Sequence, residues 1–138
     1  MYREVEASDE DAIFKLGEEE FTWVFERLQW NRELVRSFIE TFSRFSFVYV
    51  EDGAVKAFSL SMAAEGGFGY ICWGAVLKDA RRKGVSQVLL EYTIKAMRAA
   101  GCKSIGSHVR ADGRADVAVS KAGFNDLNQT KKEMFLIL

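Results

Sequence analysis

The chain changes hydrophobic period about a third of the way along. Before that point apolar residues return at helical spacing. Phe14, Phe21, Val24, Phe25 and Leu28 form one run, interrupted by Glu18-Glu19-Glu20, and Leu34, Val35, Phe38, Ile39 and Phe42 form a second. Ser8-Asp9-Glu10-Asp11 reads as a capping box ahead of the first run, and Asn31 as the N-cap of the second. Residues 8–45 are therefore expected to form two amphipathic helices, preceded by a short strand over residues 2–5.

The period then becomes that of strands. Phe47-Val48-Tyr49-Val50 and residues 55–62 flank Glu51-Asp52-Gly53, and Asp-Gly between apolar runs predicts a tight hairpin. Gly66-Gly67 marks another turn. Tyr70-Ile71-Cys72-Trp73-Gly74-Ala75-Val76-Leu77 is apolar throughout, without alternation. That pattern belongs to a strand covered on both faces, so it is placed at the centre of the sheet.

A loop over residues 78–84 leads into a helix from about Val85 to Ala100. Its expected inward stripe is Val85, Val88, Leu89, Tyr92, Ala96 and Ala99, and Gly101 is its stop. Residues 104–109 read as a strand. Asp112 can cap a short helix whose stripe is Ala115, Ala118, Val119 and Ala122, ended by Gly123. Residues 133–138 close the chain as an apolar strand. The resulting order, β-α-α-β-β-β-α-β-α-β, is an α/β class fold: a mixed sheet with helices on both faces.

Composition narrows the chemistry. A length of 138 residues suits one domain, taken as residues 1–138. Lys plus Arg is 19 and Asp plus Glu is 20, a net charge of −1, without the basic excess of a general nucleic-acid or membrane-surface binder. One histidine, His108, and two cysteines, Cys72 and Cys102, exclude a structural zinc site built only from Cys and His, and no metal is expected. No 18-residue apolar run exists, so no membrane span is expected. The first residues lack a signal-peptide pattern, and the thiols read as reduced, which places the chain in the cytoplasm. Proline is absent.

The informative stretch runs from Val76 to Ser86, Val-Leu-Lys-Asp-Ala-Arg-Arg-Lys-Gly-Val-Ser. It leaves the end of a strand, passes through a basic loop and reaches a helix N-terminus. Unpaired N–H groups and the positive end of the helix dipole favour a phosphate there. Gly84 lets the backbone approach a ligand, Ser86 is small, and Arg81, Arg82 and Lys83 add positive charge. The alternative is a solvated basic loop with a glycine turn. The Gly-Lys-Ser/Thr ending of a nucleotide P-loop is missing, and so is a dinucleotide Gly-x-Gly-x-x-Gly.

These residues resemble the GCN5-related N-acetyltransferase family. Its signature, Val-x-Pro-x-x-Arg/Gln-x-x-Gly-x-Gly/Ala, is matched by Val76, Arg81, Gly84 and Ser86, with Lys78 in place of the proline. Gly123-Phe124 matches the end of its second motif, and His108-Val109-Arg110 stands where its members often read Glu-Val-Arg. The resemblance implies acetyl-coenzyme A as co-substrate and an amine, on a small molecule or a peptide, as acceptor. It implies that the backbone from Arg82 through Lys83, Gly84, Val85 and Ser86 to Gln87 holds the pyrophosphate. The strand edge around Gly74, Ala75 and Val76 would receive the pantetheine arm and supply an oxyanion donor. Asp112 or Gly113 stands where the family has an asparagine that touches the cofactor.

A neutral amine must attack, so a base is expected, and His108 is its best side chain, although a lone strand histidine is also an ordinary hydrogen-bonded residue. The family's proton-donating tyrosine falls on Val119 by one count and on Ser120 by another. The acid is therefore missing, or supplied by Ser120, Tyr70, Tyr92 or water. Glu18-Glu19-Glu20 could draw a cationic amine or simply be solvated. Trp23, Phe25, Trp30 and Phe38 are expected in the core, one or two of them lining the acceptor pocket. Cys72 reads as a small buried hydrophobe, and Cys102 carries no functional signal. The strand over residues 133–138 could pair across a homodimer. A module that binds the cofactor without turnover is the alternative to the enzyme.

Overall fold

The computed structural model describes residues 1–108, 114–126, 134 and 136. Its five strands lie in the order β1-β2-β3-β4-β5 in one sheet. These are β1 (Tyr2–Glu4), β2 (Phe47–Glu51), β3 (Ala54–Ala63), β4 (Phe68–Val76) and β5 (Ser104–Ser107). The first four pair antiparallel, and β5 joins β4 in parallel after a helical crossover. The Asp-Gly hairpin forms as expected. Asp52 and Gly53 both take positive φ, 52° and 76°, the pair of left-handed conformations that a two-residue hairpin turn requires.

Three helices, not two, occupy the segment before β2: α1 (Glu10–Glu20), α2 (Val24–Gln29) and α3 (Arg32–Phe42). The continuous helical spacing through Val24 and Leu28 is misleading, since both side chains are exposed, at 71% and 56%. The break comes at Phe21. Its backbone leaves the helix (φ −90°, ψ 95°), and its ring turns inward against Trp30, Phe58 and Trp73. Burying an aromatic ring in such a cluster outweighs the loss of one helical turn. Trp30 packs against Gly17 so closely that a Cβ there would collide with the indole, whose Nε1–H donates to the Phe14 carbonyl.

Helix starts follow the expectation at one site and depart from it at the other. Asn31 Oδ1 accepts the Leu34 N–H at 2.8 Å and caps α3 as expected. Ahead of α1 the box sits two residues earlier than expected, on a 3-10 turn (Ala7–Asp9), where buried Asp9 accepts the Glu6 N–H at 2.8 Å. Arg3 grips the same carboxylate through both guanidinium arms, at 2.7 and 2.9 Å. That partner holds the Arg3 guanidinium pKa above its ordinary value.

Helices α1 and α3 cover one face of the sheet, with Ile13, Leu16, Val35, Phe38 and Ile39 against Val48, Phe58 and Leu60. On the other face α4 (Val85–Ala99) places Val85 and Leu89 against Phe47 and Ala57. The buried stripe of α4 is Val85, Leu89, Leu90, Thr93 and Met97, rotated from the expected one, so Tyr92 and Ala99 lie outside it. The most buried strand is β3, whose Ala57, Phe58, Leu60 and Ser61 are at most 1% exposed. β4 is mostly half-buried, which corrects the expectation that it is covered on both faces. The last helix, α5 (Arg114–Lys121), ends at Gly123 with φ 96° and buries Val119. The expected closing strand over residues 133–138 and its dimer pairing lie outside the described residues, apart from isolated positions.

Candidate active site

β4 is paired on both sides only over its first half. Phe68, Gly69, Tyr70 and Ile71 face Ser104 to Ser107 of β5. Among the described residues, nothing pairs with the outer edge of β4 beyond Ile71. Two local features mark the parting. Ser107 Oγ donates to the Ile71 carbonyl at 3.3 Å, ending the ladder. One residue later a bulge falls at Cys72, because Leu60 faces Trp73 while Ser61 faces Ile71. A bulge bends a strand and strengthens its twist, and this one falls where the described pairing with β5 stops.

The direction of that free edge can be read from one hydrogen bond. The Leu77 N–H donates to the Lys56 carbonyl of β3 at 2.8 Å. Antiparallel partners alternate, so Ala75 also faces β3, while Gly74 and Val76 turn their N–H and C=O groups outward. The Val76 carbonyl accepts Arg81 Nε at 2.9 Å, in agreement with that direction. Of the three edge residues expected to touch a pantetheine arm, Gly74 and Val76 present their backbones to the cleft. Ala75 spends its backbone on the sheet.

This edge runs into the N-terminus of α4. The chain makes one 3-10 turn (Lys78–Ala80), then takes positive φ at Arg82 (64°) and at Gly84 (75°). Gly84 is the N-cap, so no side chain caps the helix, and among the described residues beyond its chain neighbours no atom lies within 4 Å of where its Cβ would be. The first intrahelical bond is from the Val88 N–H to the Gly84 carbonyl at 3.1 Å. The N–H groups of Val85, Ser86 and Gln87 are therefore left without intrahelical acceptors. Gln87 adds a buried side-chain carbonyl that has no partner among the described residues. Left-handed residues in such a turn aim successive N–H groups into a concave, anion-binding nest. The arrangement fits a diphosphate.

The basic residues divide by role. Arg82 and Lys83 are exposed at the loop. Arg81 is not, because its guanidinium is turned inward between the Val76 carbonyl and Glu20, whose Oε2 lies 2.6 Å away. Arg81 thus departs from the expected set of three loop cations, while Arg82 and Lys83 stay free to meet a ligand. Glu20 is correspondingly removed from the acidic run that could meet an amine, leaving Glu18 and Glu19 exposed. Glu51 lies near Lys83. Its carboxyl is held below the usual range, first by the hydroxyl that Tyr49 donates at 2.6 Å and then by the lysine. The same bond pushes the Tyr49 phenol up to about 12.

His108 follows β5 directly and is exposed, with its ring 5.5 Å from that of Tyr70. The Tyr70 ring lies over Gly106, where a Cβ would sit 3.1 Å from it. The Tyr70 hydroxyl is buried without a partner among the described residues. Ser120 is on the exposed side of α5 beside buried Val119. Tyr92 stands apart from this group, stacked on Tyr2 and packed against Phe47, so it does not belong with His108. Asp112 and Gly113 lie outside the described residues. Burial pushes the Cys72 thiol up to about 11, in keeping with an unreactive bulge residue. No trio of His, Cys, Asp or Glu placed to hold a metal occurs among the described residues. Among them, no helix is long and apolar enough to cross a membrane.

The family model for acetyltransferases (GNAT) matches residues 11–124. The chain belongs to the acetyltransferase (GNAT) family. Solved structures share this GNAT fold at low identity. Ard1 from Thermoplasma volcanium is 21% identical, with a TM-score of 0.79 over 91% of this chain and 82% of that one. The ribosomal-protein-S18-alanine N-acetyltransferase from Escherichia coli is 22% identical, with a TM-score of 0.72 over 91% and 77%. A diaminobutyrate acetyltransferase from Paenibacillus lautus, solved with its substrate and coenzyme A, is 17% identical, with a TM-score of 0.72 over 88% and 72%. No curated protein sequence matches the chain. The GNAT signature was legible in the sequence. The Glu20 partner of Arg81, and the Cys72 bulge in β4, were not. The only hint of the first was three carboxylates at the C-terminal end of a helix that has no basic residue in its last turn.

Proposed function

We propose that this GNAT chain is an acetyl-coenzyme A-dependent N-acetyltransferase in which a primary amine attacks the thioester directly in a ternary complex. The observation that carries the reading is the continuity of the free Gly74–Val76 edge with the uncapped N-terminus of α4. Bound acetyl-coenzyme A would supply an activated acetyl group. The N–H groups from Arg82 to Gln87 would hold its pyrophosphate, with Arg82 and Lys83 adding charge. Outward-facing Gly74 and Val76 would bond the pantetheine arm as an added strand, and an N–H there would polarise the carbonyl. His108, beside the parting of β4 and β5, takes the proton from the amine. Ser120 or the buried Tyr70 hydroxyl returns a proton to the sulfur. Free Cys72 and Cys102 support a reducing, cytoplasmic setting.

Two measurements test this. Calorimetry with coenzyme A is expected to show binding, and no binding at millimolar ligand would remove the reading. Release of coenzyme A from acetyl-coenzyme A across a panel of amines is expected for at least one amine. Against that amine, His108→Gln should lower kcat about a hundredfold and alter the pH–rate profile. An unchanged rate and profile would take His108 out of the mechanism. Buried Val119, at the position of the family's tyrosine, favours a second reading, a cofactor-binding module without turnover. Tight cofactor binding with no amine-dependent release would favour that module.

A further inference from the structure

The C-terminus of α1 is built against its own dipole. Glu18, Glu19 and Glu20 occupy its last turn, where a negative charge is disfavoured, and no basic residue stands there to offset them. The compensation comes from a distant element. Arg81, in the loop that leads to α4, places its guanidinium 2.6 Å from Glu20 Oε2, and both side chains are mostly buried, 17% and 22% exposed. The same guanidinium donates through Nε to the Val76 carbonyl at 2.9 Å. One planar group thus ties three pieces together: the end of α1, the last residue of β4 and the start of the loop. The end of α1 is itself fixed against β4, since the Phe21 ring lies 5.1 Å from that of Trp73.

The residue that follows shows what the tie is for. Arg82 takes φ 64°, a left-handed conformation disfavoured for a residue with a Cβ. Such conformations persist where the surrounding structure over-determines them. A hydrogen bond to Val76 and an ion pair to Glu20 anchor the preceding side chain here. Without Glu20, the guanidinium keeps only the Val76 carbonyl, and the left-handed turn that aims the loop N–H groups is less firmly held.

We propose that Glu20 is a positioning residue for the coenzyme A loop, acting through Arg81 and making no contact with the ligand itself. This rests on the reading that the α4 N-terminus binds coenzyme A. The test is a double-mutant cycle read by calorimetry with coenzyme A, using wild type, Glu20→Gln, Arg81→Gln and the double variant, each with its melting temperature. Glu20→Gln is expected to weaken binding about fivefold and Arg81→Gln about tenfold. The double variant should be no weaker than Arg81→Gln alone, because both remove one tie. Glu20→Asp, which keeps the charge, should recover most of the loss. Should Glu20→Gln fail to fold, Arg81→Lys carries the same comparison, since it keeps a charge toward Glu20 but loses the fork that reaches Val76 as well.

Wild-type affinity in Glu20→Gln overturns the proposal, whatever its melting temperature, and so do losses that simply add in the double variant. A wild-type protein that fails to bind coenzyme A overturns the functional reading and this inference together. Wild-type binding with an unaffected Glu20→Gln overturns this inference alone.

Discussion

Two helices of this chain begin in opposite ways. At α3 the end is closed, because Asn31 sends its side-chain oxygen back to the Leu34 N–H at 2.8 Å. At α4 the end is open, because Gly84 has no side chain to send and the positive φ of 75° keeps the space before the helix clear. Both ends carry the same unpaired N–H groups and the same dipole. What differs is who satisfies them. The first helix is completed by its own side chain; the second has no side-chain cap, and in the proposed function a diphosphate takes that place.

The largest expected effect comes from closing the open end. Gly84→Asp places a carboxylate where the diphosphate would sit, in a left-handed conformation that aspartate tolerates. Coenzyme A affinity should fall at least about thirtyfold by calorimetry, since the carboxylate repels the diphosphate and occupies its place. The fold should keep most of its stability, because aspartate is among the residues that visit this conformation. Unchanged affinity would mean that the two ends do not differ in the way described. Opening the closed end is the smaller, opposite experiment. Asn31→Ala should cost about 1 kcal/mol in denaturant unfolding and leave coenzyme A binding unaltered.

Much of this difference was legible in the residues. Asn31 ahead of an apolar stripe, and Gly84 after three basic residues, are local signals whose meaning depends on few neighbours. The Asp52-Gly53 hairpin and the crossover from β4 to β5 are of the same kind. Non-local packing was not legible. The break in the first predicted helix depends on Phe21 finding Trp30, Phe58 and Trp73, which lie on three other elements. The bulge in β4 is a register slip at Cys72, and apolar pattern alone does not reveal which residue of a strand is unpaired. Arg81 was read as part of the anion site because it belongs to a basic run. Its turn inward becomes visible only once Glu20 and Val76 are beside it.

The open and closed ends can be watched together in one experiment. In amide NMR spectra of the wild-type protein, coenzyme A is titrated in and the shifts of backbone N–H groups are followed. The account predicts large downfield proton shifts at Val85, Ser86 and Gln87, with smaller ones at Gly74 and Val76, while the Leu34 N–H stays where it was. Shifts that leave residues 82–87 unmoved while coenzyme A binds elsewhere would contradict it.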